Sequence, residues 1–230
     1  MSVFVKLIAS TPDAAKIVAA AAKICYSPSG AVEILDGLDD KKVSSFLKML
    51  RDSGHLSPFE HVSFTFAIEG ISRVATHQLV RHRMASYSQQ SQRYVGMDGQ
   101  SCVVPPSIAV MPKAAEIFAK QAESAWKCYE ELVAAGVPKE DARFILPHGA
   151  ESRIVVTMNA RELHHFFALR LCRRAQWEIR ELAVRMFVLA REAAPELFET
   201  GGPSCVVLGR CTEAHSCGRP YSGMEEMLSE

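Results

Sequence analysis

Between Val62 and Glu69 the side chains alternate: Val62, Phe64, Phe66 and Ile68 are separated by Ser63, Thr65, Ala67 and Glu69. A period of two puts the large apolar set on one side of a pleat, so the segment is predicted to be a strand with one buried face. Gly70 is expected to break it. Elsewhere the period is helical. Val43, Phe46, Leu47 and Leu50 share one face of a helix that starts at Asp39 or Asp40 and is ended by Gly54. Thr11-Pro12-Asp13 reads as a cap followed by proline in the first turn, opening a helix to about Cys25, with Ile34 to Gly37 as loop. Ser72 caps a helix to about Arg83, with Val74, Gln78 and His82 one turn apart. Further helices are predicted from Pro112 to Ala135, ended by Gly136, and from Pro138 to Pro147. The β-branched run Ile154 to Met158 predicts a second strand. Asn159 caps the helix ARELHHFFALRLC, and another helix covers Ala175 to about Ala194.

Mostly helices with few strands predict an α+β fold, a mostly helical single domain with a small, largely antiparallel sheet. The 230 residues suit one domain spanning 1–230, in which residues 201–230 form an irregular, cysteine-rich tail. No apolar run reaches the roughly 18 residues of a membrane helix, and MSVFVKLIAS lacks the basic leader of an export signal. Seven cysteines, an odd number, read as reduced thiols, so a cytoplasmic protein without a membrane partner is expected. Lys and Arg number 26, balancing 26 Asp and Glu, which argues against a nucleic-acid partner held through its phosphates. The arginines gather in the middle and late chain, and their planar forks suit small phosphorylated ligands.

The densest row of donors is RHRMASYSQQSQRY, residues 81–94. A basic helix end followed by a polar loop explains part of it. The serines and glutamines add a second possibility: amides and hydroxyls read the edge of a base while guanidiniums hold its phosphate. The stretch resembles the signature of the flavin-dependent thymidylate synthases, R-H-R-x-x-S-x-N-x-x-S-x-R. It matches at Arg81, His82, Arg83, Ser86, Ser91 and Arg93 and departs at Ser88, where the signature has asparagine. GHLSPFEH (54–61), ARFILP (142–147), NAR (159–161), LR (169–170) and AQWE (175–178) follow the order of the same family, so the likeness runs from about Cys25 to Glu178.

The resemblance implies reductive methylation of dUMP to dTMP at uracil C5. Methylenetetrahydrofolate gives the carbon, FAD carries the hydride, NADPH reduces the flavin, and a homotetramer shares its active sites between subunits. It places Gln78, Leu79, Val80, Arg81, Gln89, Gln90, Ser91, Gln92, Arg93, Arg143 and Arg170 against dUMP, with Arg93 and Arg143 toward the phosphate. Ser57, Arg81, His82, Arg83, Gln89, Asn159, Arg161, His165 and Arg174 fall to FAD. Arg170 is expected to favour ionisation of uracil N3 and His55 to handle protons. No cysteine stands beside a motif histidine, so no cysteine nucleophile is expected, and an unassisted Ser91 is assigned to binding. Gln89 stands where family members often carry glutamate. Arg161 and His165 are one turn apart, whereas Arg170 lies nine residues beyond Arg161, nearly on the opposite side, so the helix is expected to serve two sites. In the tail, Cys205, Cys211 and Cys217 have wider spacing than a C-x-x-C pair, so no metal is expected. A Cys3His zinc site with His215 is the alternative. Two other functions fit the donor row: a flavin-free nucleotide or RNA module stacking bases on Tyr87 and Tyr94, and a flavoprotein with another acceptor.

Overall fold

The computed structural model describes residues 3–96 and 101–229. Four strands, β1 (Phe4–Ser10), β2 (Ser63–Ser72), β3 (Ala85–Gln89) and β4 (Glu151–Asn159), form one sheet in the order β1-β2-β4-β3. The sheet is antiparallel, as expected. The helices are α1 (Ala14–Lys23), α2 (Ala31–Asp36), α3 (Asp40–Asp52), α4 (Arg73–Leu79), α5 (Pro106–Ala109), α6 (Pro112–Ala134), α7 (Lys139–Ala142), α8 (Ala160–Arg170), α9 (Trp177–Ala193), α10 (Ser204–Val207) and α11 (Met224–Ser229). Short 3-10 turns cover Ser57–His61 and Arg143–Ile145. The α+β class with mostly helical content therefore stands. No helix among the described residues is long and apolar enough to cross a membrane.

The chain divides into two compact units, one built mainly from residues 68–81 and 87–155, the other from 5–67, 82–86 and the chain from 156 on. In the second unit the aromatic side chains Phe59, Phe64, Phe166, Phe167, Phe187 and Phe198 are fully buried. Phe167 meets Phe187 edge-on at 5.1 Å between ring centroids, and Phe64 meets Phe198 at 5.3 Å. Each such ring stabilises the fold by about 1.5–3 kcal/mol through the area it takes from water. α8 packs on the Ser57–His61 turn and on α9, so this core holds α8 in place. In the first unit Tyr129 of α6 buries against Ala142 and Leu146.

Several elements differ from the sequence reading. Strand β1 went unpredicted, because Phe4 and Ile8 are about half exposed while Val5 and Leu7 turn inward, and apolar residues on both faces leave no contrast to read. β2 does not stop at Gly70. Glycine takes a left-handed φ of 69° there, which distorts the ladder without ending it. The segment 34–36 is the last turn of α2 rather than loop. α4 ends at Leu79, not near Arg83, and the hydroxyl of Tyr87 donates to the Leu79 carbonyl at 2.8 Å, taking one of the acceptors a helix end leaves over. Residues 85–89 form β3, where serine and glutamine hide the strand period. The tail contains α10 and α11, so it is not wholly irregular.

Candidate active site

In the first unit, Ser72 caps α4 by accepting from the Ala75 amide at 3.1 Å, which sets Arg73 at the helix start. One terminal nitrogen of Arg73 donates to the Gln90 carbonyl at 3.3 Å, while its Nε is buried without a hydrogen-bond partner. Burial, then the nearby charge of Arg143, lowers the pKa of Arg73. Arg143 Nε donates to the Glu140 carbonyl at 3.0 Å, and Arg93 binds the Glu140 carboxylate at 2.6 Å. Arg93 and Arg143, both expected at a phosphate, thus share Glu140, one at its carboxylate and the other at its main-chain carbonyl, and Arg73 feels the charge of Arg143. Such a cluster suits a dianion, which would replace Glu140 as the counter-charge of Arg93. Gln89 is fixed: its amide nitrogen donates to Ser152 Oγ at 2.9 Å and to Thr76 Oγ1 at 3.2 Å. Two donated bonds are what the amide makes and a glutamate at this position cannot. Ser91 accepts from the Arg93 amide at 3.2 Å, shaping the turn that presents Arg93. Gln92 is buried, Leu79 is core, and Gln78, at the end of α4, is half-buried. Val80, Arg81 and Tyr94 are exposed.

In the second unit, a cavity of about 560 Å³ is lined by Leu56, Glu60, Met84, Asn159, Arg161, Glu162, His164, His165 and Ala168. Asn159, Arg161 and His165, expected at the flavin, share it. Asn159 Oδ1 caps α8 by accepting from the Glu162 amide at 2.8 Å, and Arg161 pairs with Glu60. Ser57 and His55 flank Leu56 on the neighbouring loop, Ser57 exposed and His55 half-buried. The volume falls within the roughly 300–1,000 Å³ of small-molecule sites, and the wall sets Leu56, Met84 and Ala168 beside the polar groups of Asn159, Arg161 and His165.

Beside the cavity, His82 is almost fully buried and lies in a chain of side chains. Its Nδ1 meets Glu162 Oε1 at 3.0 Å, and Arg170 Nε donates to its Nε2 at 3.0 Å. An acceptor at Nε2 requires the tautomer protonated at Nδ1, so Glu162 fixes the imidazole and the imidazole fixes Arg170. Burial foremost, with the Arg170 charge assisting, pushes the His82 pKa down, against the opposing pull of Glu162. Ligand atoms of His82, Glu162 and His165 lie within 4.8 Å of one another, the only such group among the described residues. The guanidinium already on His82 opposes a metal cation there. The His82 ring also packs edge-on against His165 at 5.7 Å, so α8 brings His165 and Arg170 to one imidazole although they leave the helix in different directions. Arg83 is exposed, and Arg174 pairs with Glu213 of the tail at 3.5 Å instead of lining the cavity. Arg73, Glu140, Ser152 and Glu162 escaped the sequence reading. Only Glu162, inside the NAREL run, had a motif to signal it.

Residues 6–196 match the family described as thymidylate synthase complementing protein. A flavin-dependent thymidylate synthase of Geobacter sulfurreducens is 51% identical over 218 residues, covering 94% of both chains. One from Clostridium tetani is 48% identical over 236 residues, covering 95% of this chain and 94% of the relative. Among solved structures, a UMP/dUMP methylase, PolB from Streptomyces cacaoi bound with 5-Br dUMP, superposes with a TM-score of 0.74 at 26% identity, over 86% of this chain and 94% of that one. With the matched profile spanning most of its length, the chain belongs to the thymidylate synthase complementing protein family.

Proposed function

We propose that this chain is a flavin-dependent thymidylate synthase that methylates dUMP at C5 to give dTMP. The observation that carries the reading is the pair Arg93 and Arg143 on Glu140, with Arg73 close enough to Arg143 to feel its charge and its buried Nε lacking a hydrogen-bond partner. A nucleotide phosphate satisfies these guanidiniums, and the glutamine and serine row from Gln89 to Gln92 supplies donors and acceptors for the pyrimidine edge. The dUMP methylase relative and the relatives named as thymidylate synthases support this substrate.

C5 of uracil becomes nucleophilic when negative charge on N3 and O4 is stabilised. Arg170, fixed through its Nε by His82, supplies a preorganised cation of the kind that lowers an N–H pKa. Asn159, Arg161 and His165, with Ser57, Arg81, His82, Arg83, Gln89 and Arg174, are the residues for FAD. FAD, when bound, provides the hydride that completes the new methyl group. Methylenetetrahydrofolate as carbon donor and NADPH as reductant complete the reaction. His55, on the loop beside Leu56, is the residue that handles protons in this reading. Exposed Arg81 and Arg83, with Tyr94 75% and Phe144 85% exposed near the motif arginines in sequence, support a homotetramer whose subunits complete each other's sites. Seven free thiols fit a cytoplasmic setting.

The test is dTMP formation from dUMP with methylenetetrahydrofolate, NADPH and FAD, each omitted in turn. Product that needs every component is expected. Folded, flavin-loaded protein that yields none would overturn the reading. A monomer in solution with full activity would remove the shared sites alone.

A further inference from the structure

Four thiols from separate parts of the second unit line one cavity: Cys172, just past the end of α8, and Cys205, Cys211 and Cys217 of the tail. All four are free. The cavity measures about 10 Å³, room for roughly one water-sized sphere. The tail is fastened beside it. Arg173 lies 4.2 Å over the Tyr221 ring, donates to the Arg219 carbonyl at 2.5 Å and pairs with Glu226 at 2.6 Å. Arg174 reaches Glu213, and Ser204 Oγ accepts from the Thr212 amide at 3.0 Å. These contacts carry Cys205, Cys211 and Cys217 to Cys172. His215, the ligand suggested by the sequence, is exposed and absent from the cavity wall, and Cys172 takes the fourth place.

We propose that Cys172, Cys205, Cys211 and Cys217 form a structural zinc site that staples the tail to the end of α8. Four thiols around one small space supply the ligand number and ligand type of a closed tetrahedral zinc site. On binding, each thiol gives its proton to solvent and one Zn–S bond forms. No electron moves. The resulting complex carries a charge of about −2 from four thiolates on one divalent ion, and Arg173 and Arg174 on the same wall complement it. No three of the sulfurs lie within 4.8 Å of one another, whereas Zn–S bonds of about 2.3 Å place sulfurs roughly 3.8 Å apart. Binding therefore requires the four side chains to turn inward, Cys211 and Cys217 from the loops of residues 208–218, Cys205 from α10 and Cys172 from just past α8.

The experiment is metal analysis of full-length, flavin-loaded protein purified without chelators from zinc-supplemented cells. About one zinc per chain is expected, with a loss of tenfold or more in Cys172→Ser and no change in His215→Ala. Zinc retained by Cys172→Ser overturns the fourth ligand. A metal-free wild type whose four thiols all react with a thiol reagent, or pair as disulfides, overturns the site. Should Cys172→Ser not fold, cobalt substitution of the wild type decides: intense tetrahedral thiolate bands to the red of the flavin absorption support four sulfur ligands, and weak bands from a site with fewer sulfurs refute them. Flavin content and metal stoichiometry are both read without turnover, so failure here leaves the assigned reaction standing.

Discussion

Arg170 is anchored through its Nε on His82, and that anchoring is what makes it useful as a cation beside a pyrimidine. Arg170→Ala is expected to lower the methylation rate at saturating dUMP by about a hundredfold or more, the usual effect of removing one preorganised charge, while flavin content stays unchanged. His82 accepts from Arg170, so its protonation replaces the acceptor with a donor and releases the guanidinium. Its pKa lies below the ordinary value, so activity should hold through neutral pH and fall only as His82 takes up a proton on the acid side of about 6.5. Glu162 favours the charged imidazole. Glu162→Gln keeps an acceptor for Nδ1 but removes that charge, and the acid limb of the kcat profile should move to lower pH. An unmoved limb would detach His82 from turnover. At the other cluster, Glu140→Gln frees Arg93 from its carboxylate, and KM for dUMP should fall while kcat stays close to wild type.

At the scale of elements, Asn159 does two jobs that mutation can separate. Its side-chain oxygen caps α8, and the residue lines the cavity, where its amide nitrogen is left over as a donor for a ligand. Asn159→Asp retains the cap and deletes the donor, so flavin affinity should drop with little loss in thermal midpoint. Asn159→Ala should lose both, with the missing cap costing about 1 kcal/mol. Sequence reading found α8, α9, α6 and β4 because their caps and periods are strong. Asn159, the β-branched run Ile154–Val156 and Gly136 are local signals that tertiary packing only reinforces. It missed β3 because Ser86, Ser88 and Gln89 carry no hydrophobic contrast, and their strand state comes from pairing with β4, as in the bond from the Gln90 amide to the Arg153 carbonyl at 2.9 Å. The same reason hid Arg73 and Ser152. What joins them to the motif are side-chain bonds, Arg73 to the Gln90 carbonyl and Gln89 to Ser152 Oγ, made between segments brought together by a register not written in either alone.

For the molecule as a whole, His164 ties acid stability to the core. It packs against Phe59 and Phe198, and its Nε2 lies 3.0 Å from the Leu197 carbonyl. Burial, with the Arg51 charge adding, pushes its pKa down from 6.5 to about 4. Between those values the unfolded chain binds a proton that the folded chain refuses. Stability should therefore be complete above about pH 6.5 and decline as pH falls toward 4, by up to about 3 kcal/mol. Thermal midpoints measured at pH 7 and 5 test this, and His164→Asn should flatten the difference. The family and the motif arginines were legible in residues 54–178, whereas the counter-charge Glu140 and the thiol partner Cys172 had to be found in space.

One arrangement sets a limit on how this chain can vary. Glu162 and Arg170 stand near opposite ends of α8, about 12 Å apart along its axis at 1.5 Å per residue, yet both reach the same imidazole. The helix acts as a ruler. A single inserted residue between them would swing Arg170 by about 100° around the axis and disconnect it, so homologous enzymes can exchange side chains along α8 far more freely than they can change its length.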